Sequence, residues 1–156
     1  MELLRYNPES GLFSWNISRG SNSRGSVAGN INKVHGYVLV GVEGKVYRAH
    51  CLAFLYMTGK IPKIIDHADG DVANNRWRNL REASNCTNSY NTKLASNNTS
   101  GVKGVKLNKL TGKWQASIGV NGKRKHLGVF TDISQAEAAV KAARLELHGE
   151  FANHGL

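Results

Sequence analysis

Only two cysteines, Cys51 and Cys86, occur in the 156 residues, and neither belongs to a Cys-x-x-Cys pair. A four-cysteine zinc staple is thereby excluded, and both are read as free thiols. Long hydrophobic runs are also missing, since no segment approaches the roughly 20 apolar residues that a membrane-spanning helix needs. The start, Met1-Glu2-Leu3-Leu4-Arg5, lacks the apolar stretch of a signal peptide. A cytoplasmic, reducing location without a membrane partner is the expectation. Acidic side chains are few, 11 against 21 Lys and Arg, leaving a formal net charge of +10. Such an excess points to a polyanion, above all nucleic acid, rather than a small-molecule substrate. Hydrophobic residues reach 40%, with three Trp, five Tyr and four Phe. That suffices for a packed interior, and the length suits one domain or two small ones.

The surplus charge divides equally, +5 in residues 1–98 and +5 in residues 99–156, so either part can meet the polyanion. A polar run from Lys93 to Gly101 separates two regions of regular hydrophobic pattern and reads as a linker. The predicted division is therefore 1–96 and 97–156. Upstream, Leu12–Ile17 alternates apolar and polar, and Tyr37–Val42 meets Lys45–Tyr47 across Glu43-Gly44, which predicts short antiparallel strands. Ala49–Thr58 (AHCLAFLYMT) predicts a compact apolar helix closed by Gly59 and Pro62. Downstream, Val102–Leu107, Lys113–Val120 and Lys123–Phe130 predict three strands, the last two joined by the hairpin pair Asn121-Gly122. Ser134 then opens an alanine-rich helix to about His148, with Ala138, Ala142 and Leu145 as its apolar face and Gly149 as its stop.

The densest reactive cluster runs from Ile65 to Arg81 (IDHADGDVANNRWRNLR), followed by Glu82-Ala83-Ser84 and Asn85–Tyr90. It reads as strand, loop, strand, helix, with Ser84 as the helix N-cap and Asn88 one turn inside. One carboxylate (Asp66) and one amide oxygen (Asn88), completed by water and phosphate oxygens, make a donor set suited to a hard divalent cation. His67 has the side chain best matched to take a proton from water at neutral pH, and Asn79 can tie the loop that holds it. Phosphodiester hydrolysis is the reaction class that follows. Asp66 and His67 taken alone fit ordinary loop caps; the spacing of the whole run tips the reading toward catalysis.

That run, DH-x-DG-x(4)-NN-x(3)-NLR with Asn88 beyond it, resembles the HNH endonuclease family, in its phage and intron-homing nicking subgroup. The upstream runs Leu4–Trp15 and Arg48-Ala49-His50 resemble the same subgroup, so the likeness covers about residues 3–92. It implies a ββα-metal fold around the site, His67 as general base, Asp66 and Asn88 as ligands of Mg2+ or Mn2+, and Asn79 as the central asparagine. Many relatives carry His-Arg where this chain has His50-Cys51, which removes one phosphate contact. Arg48, His50, Arg76 and Arg81 are read as contacts to the DNA backbone, His50 equally well as an interior histidine.

Residues 99–152 carry SGVKGVK, GKW, LGVF and QAEAA and resemble the plant ethylene-response-factor type of DNA-binding domain. The resemblance implies a three-stranded sheet laid in the major groove with one helix behind it. Strand alternation assigns Trp114, Ala116, Ile118 and Val120 to the core face and Gln115 and Ser117 to the other. Lys103, Lys106, Asn108, Gln115, Ser117, Arg124 and His126 are the expected DNA contacts. The sequence thus predicts an α+β chain, an HNH module followed by a three-stranded antiparallel sheet packed on one helix. Its expected activity is metal-dependent nicking of double-stranded DNA by a monomer, in the host cytoplasm if phage-encoded. The alternative is a catalytically inactive DNA-binding regulator or packaging accessory.

Overall fold

The structure is a computed structural model that describes residues 3–155. Contacts divide the chain into two compact units, Met1–Ala83 and Ser84–Leu156.

In the first unit, strand β1 (Leu4–Tyr6) pairs with β2 (Phe13–Trp15), and β2 with β3 (Val27–Ala28), all antiparallel. A second meander joins β4 (Asn30–Ile31), β5 (Val38–Val42) and β6 (Lys45–Arg48). The turn between β5 and β6 is the Glu43-Gly44 pair, both at positive φ (51° and 77°), the backbone that a two-residue hairpin demands. Helix α1 (Ala49–Thr58) follows at once and ends at Gly59, whose N–H donates to the Leu55 carbonyl. These bounds match the sequence reading. Leu52, Ala53 and Phe54 of α1 pack with Leu4, Tyr6, Phe13, Trp15, Val40 and Leu80 into one core. β7 (Ile65–His67) then pairs antiparallel with β8 (Leu80–Glu82), setting His67 opposite Leu80 and Asp66 opposite Arg81.

The second unit opens with α2 (Asn85–Tyr90), whose N-cap is Ser84 as expected. The Ser84 hydroxyl accepts from the Thr87 N–H and the Thr87 side chain returns the bond, a reciprocal capping box. The polar run 93–101, expected to divide the chain, lies within this unit. Leu94 N–H donates to the Gly155 carbonyl, and the Asn153 amide donates to Asn91. Tyr90 stacks on His148 with centroids 3.7 Å apart. Those bonds tie the segment after α2 to the chain's far end, so the compact units part earlier than the linker.

Strands β9 (Val105–Asn108), β10 (Lys113–Val120) and β11 (Lys123–Phe130) form an antiparallel sheet in the order β11-β10-β9, covered by α3 (Ile133–His148). Ala116, Val105, Ala136 and Val140 make the core between them, with Trp114, Leu127 and Phe130 packed against it. Completely burying a valine such as Val140 contributes about 1.5–3 kcal/mol.

Two details of α3 correct the sequence reading. Its cap is Asp132, whose carboxylate accepts from the Ser134 N–H at 2.6 Å, and not Ser134 itself. Its buried face is Ala136, Val140, Ala143, Arg144 and His148, while Ala138, Ala142 and Leu145 are exposed. A helix this rich in alanine offers several stripes of similar polarity. The choice fell to the stripe ending in Arg144 and His148, whose polar ends find carbonyl acceptors.

Candidate active site

His67 ends β7, and its placement follows from bonds made by the loop that returns to β8. Asp69 is the knot of that loop. Its N–H donates to Asn79 Oδ1 at 3.0 Å, and its carboxylate accepts from Asn79 Nδ2 at 2.9 Å, Asn74 Nδ2 at 2.6 Å and the Asp71 N–H at 2.9 Å. Burial pushes the Asp69 carboxyl upward, but these donors outweigh it and hold its pKa below the ordinary value. Asn79 also donates to the Asn74 carbonyl at 2.8 Å, so all three of its side-chain hydrogen bonds lie inside the loop. It stands where the sequence reading wanted it, as a loop tie.

Asn75 orients the imidazole. Its Nδ2 donates to the Ala73 carbonyl at 3.0 Å, which turns Oδ1 toward His67 Nε2, 3.5 Å away at the outer edge of hydrogen-bond range. An oxygen acceptor facing Nε2 favours the tautomer with the proton there and makes Nδ1 the nitrogen bearing the lone pair. His67 is buried, and burial lowers its pKa. Asn75 and the carboxylates Asp69, Asp66 and Asp71 pull the other way without cancelling it. The ring is therefore neutral near pH 7, the state a proton acceptor needs.

The first hairpin clamps this loop. Tyr6 Oη donates to the Asn75 carbonyl at 2.6 Å, and the Trp77 N–H donates to the Pro8 carbonyl at 2.9 Å. Burial pushes the Tyr6 hydroxyl up to about 12, so it stays a donor at any physiological pH. Gly11, at φ +75°, lies so close that a Cβ there would meet Arg76 N and Asn75 C at 2.5 Å. Tyr6 and Gly11, inside the run Leu4–Trp15, had no role assigned from sequence; the signal was the turn Asn7-Pro8-Glu9-Ser10-Gly11 set a long way upstream of the histidine.

His50 is buried at the start of α1, its ring 5.1 Å from that of His67 and edge-on to it, with Tyr37 edge-on at 5.3 Å. Burial, then the neighbouring His67 and Arg48, lower its pKa to about 4. Arg48 sets its guanidinium 4.6 Å above the Tyr37 ring. Arg76 is exposed. Arg81 points inward instead, gripping Asp66 Oδ2 through Nε at 2.8 Å and through a terminal nitrogen at 2.6 Å.

Asn88 lies in α2 of the second unit, its N–H donating to the Ser84 carbonyl. In the sheet of that unit the register sets Gln115 opposite Lys106 and Val129, Lys113 opposite Asn108, Ser117 opposite His126, and Gly119 opposite Arg124. Lys106, Asn108, Gln115, Ser117, Arg124 and His126 therefore share the face turned from α3. A bulge between Ala116 and Ser117 keeps His126 and Arg124 in step with the strand. Lys103 is not among them, because its ammonium donates to the carbonyls of Tyr90, Thr92 and Asn153.

Among the described residues, no three His, Cys, Asp or Glu side chains gather as a metal cluster, and no helix is long and apolar enough to cross a membrane. Residues 47–90 match the HNH endonuclease family. The chain is 37% identical over 110 residues to Protein 3.8 of Escherichia phage T7, spanning 69% of this chain and 90% of that one. It is 33% identical over 119 residues to an uncharacterized HNH endonuclease of Acanthamoeba polyphaga mimivirus, spanning 75% of this chain and 61% of that one. No solved structure matches.

Proposed function

We propose that this chain, which carries an HNH endonuclease family domain in its N-terminal half, hydrolyses phosphodiester bonds of double-stranded DNA, nicking one strand at a preferred site as a monomer. The observation that carries this reading is the buried, neutral His67, its ring oriented by Asn75 and its loop knotted by Asn79 and Asp69. His67 Nδ1 takes a proton from a water molecule, whose oxygen forms the new bond to phosphorus. The bond from phosphorus to the 3′-oxygen breaks, and that oxygen takes a proton from solvent, leaving a 5′-phosphate and a 3′-hydroxyl.

A divalent cation, Mg2+ or Mn2+, would be held in this proposal by the carboxylate of Asp66 and water, with Asn88, in the other unit, as the second ligand expected from the sequence. That sparse, hard-oxygen set suits magnesium, which keeps most of its waters. When bound, such an ion neutralises charge on the phosphate and on the leaving oxygen. Asp66 shares its Oδ2 with Arg81, so the cation and the guanidinium compete for one carboxylate. This ion pair is the observation that favours the second reading, a DNA-binding protein without cleavage, for an arginine already neutralises the group that would attract the metal.

The second unit is the reader in this proposal, an ethylene-response-factor type of module. Its sheet face carries lysine and arginine for phosphates beside asparagine and glutamine for base edges, and the shared face of Lys106, Asn108, Gln115, Ser117, Arg124 and His126 supports it. Incubating supercoiled plasmid with the protein and Mg2+ or Mn2+ tests the whole reading. Wild type is expected to convert it to open circles, and His67→Ala to lose that activity by at least a hundredfold, the lower range for a general base. Intact plasmid with wild type across both metals establishes the binder; full activity in His67→Ala removes His67 as the base.

A further inference from the structure

A cavity of about 360 Å³ opens in the second unit beside the α2 end, and nothing in the proposed cleavage chemistry uses it. Lys103, Lys123, Arg124, Arg144 and His148 line it together with Tyr90, and no Asp or Glu does. A pocket with this many cations and no counter-charge is unfavourable when empty and attractive to an anion.

His148 supplies the independent sign. Its ring is held in plane by the parallel Tyr90 ring, 3.7 Å away, and in rotation by the bond from Nε2 to the Gly119 carbonyl at 2.8 Å. A carbonyl only accepts, so Nε2 carries a proton. The other nitrogen, Nδ1, is buried without a hydrogen-bond partner. An orphaned buried nitrogen costs roughly 1–3 kcal/mol. As a bare lone pair it has no donor to meet; as an N–H it belongs to a cationic ring that a nearby anion stabilises.

We propose that this cavity binds a phosphate group, whose charge favours the imidazolium form of His148 and whose oxygens are met by Arg144 and Lys123. Arg144 is buried and already anchored, one terminal nitrogen on the Lys103 carbonyl at 2.8 Å and the other 3.0 Å from His154 Nδ1. It is therefore preorganised rather than mobile, and phosphate recognition by a fixed guanidinium fork needs no ordering step. Lys103 contributes its field only, since three carbonyls take its ammonium protons. Lys123 reaches the cavity from β11 and completes the positive rim.

Burial depresses the His148 pKa, the Gly119 carbonyl raises it, and Arg144 and Lys103 depress it further. Of the groups facing it, Tyr90 from α2, Lys103 from the loop, Arg144 from α3 and Lys123 from β11, none is a carboxylate. A bound phosphate is the group that reverses this balance and places the proton on Nδ1. The phosphate has two possible sources, a diester of the DNA backbone or a free or terminal monoester. Only the first rests on the DNA reading of this unit.

The test is nuclear magnetic resonance of the histidine rings in the full chain without divalent metal. The probes are inorganic phosphate, a short duplex lacking terminal phosphates, and the same duplex 5′-phosphorylated, each against sodium chloride of matched ionic strength. The expected result is a saturable rise in the His148 midpoint by about one unit or more. Lys123→Gln, a change to an exposed rim side chain, is expected to weaken binding about threefold. A response to the unphosphorylated duplex assigns the backbone diester. A response to inorganic phosphate or the 5′-phosphate alone assigns the monoester and leaves the DNA reading to the plasmid assay. A His148 that moves no further than in chloride, in every arm, overturns the site.

Discussion

Replacing Gly11 with alanine is the sharpest test of how the histidine loop is held. Two costs arise. Gly11 sits at φ +75°, where an L-residue costs about 1–2 kcal/mol. Its new Cβ would also meet Arg76 N and Asn75 C at 2.5 Å and Asn75 O at 2.9 Å, all backbone atoms, against an optimal carbon contact of roughly 3.5–4 Å. The hairpin must then retreat by about an ångström, which breaks the Tyr6 bond to the Asn75 carbonyl and leaves a buried acceptor, a further 1–3 kcal/mol or so. Gly11→Ala is thus expected to lose about 2–5 kcal/mol, a large share of the 5–15 or so typical of a domain. Gly20→Ala is the matched control, because Gly20 has φ +60° and nothing within 4 Å of its would-be Cβ. It carries the backbone cost alone. Urea unfolding of both variants, with plasmid nicking at a denaturant-free temperature where each is folded, reads the difference. Equal stabilities for the two, with nicking by Gly11→Ala within twofold of wild type, would refute the clamp.

Other outcomes follow from the same structure. His50, lowered to about 4 by burial, His67 and Arg48, stabilises the fold fully above the unfolded value near 6.5; that contribution, about 3 kcal/mol, drains away as pH falls from about 6.5 to 4. Urea midpoints between pH 7 and 4 should fall less in His50→Gln than in wild type, and parallel curves would show the ring is not buried as a neutral base. Lys106→Gln and Arg124→Gln, on the sheet face, should each lower the slope of log affinity against log salt by about one; unchanged slopes would take phosphates away from that face. Asp132→Ala should cost about 1 kcal/mol by removing the α3 cap, whereas Ser134→Ala should stay within about 0.5 kcal/mol, and the reverse order in thermal melts would restore Ser134 as the cap.

Much of the fold was legible because its signals are local. The Glu43-Gly44 and Asn121-Gly122 turns, the Gly59 stop and the Ser84 box each depend on a few adjacent residues, and each stands where the pattern put it. β10 was readable from its period because one of its faces is buried against α3. β1, β3 and β4 escaped notice since strands of two or three residues show no period. The stripe that α3 buries was hidden for a different reason. Ala136 and Ala138 are equal by hydrophobicity, and the deciding groups, Arg144 and His148, count as polar until their carbonyl acceptors on distant segments are known.

The site shows the same boundary between local and distant causes. Asn79 was assignable from spacing because its three side-chain hydrogen bonds, two to Asp69 and one to Asn74, span no more than ten residues. Arg81 was not, since its partner depends on register. An arginine following Asn-Leu in a basic protein reads as a contact to the DNA backbone, but the pairing of β7 with β8 sets it directly opposite Asp66. Strand partners on one face are neighbours, and a buried carboxylate recruits the nearest cation. The consequence reaches function. In the proposed enzyme, Arg81 is the group against which a divalent ion must compete for Asp66, so Arg81→Gln would leave that carboxylate to the metal. The expected outcome is cleavage at a lower Mg2+ concentration, and an unchanged metal requirement would mean that the ion is held elsewhere.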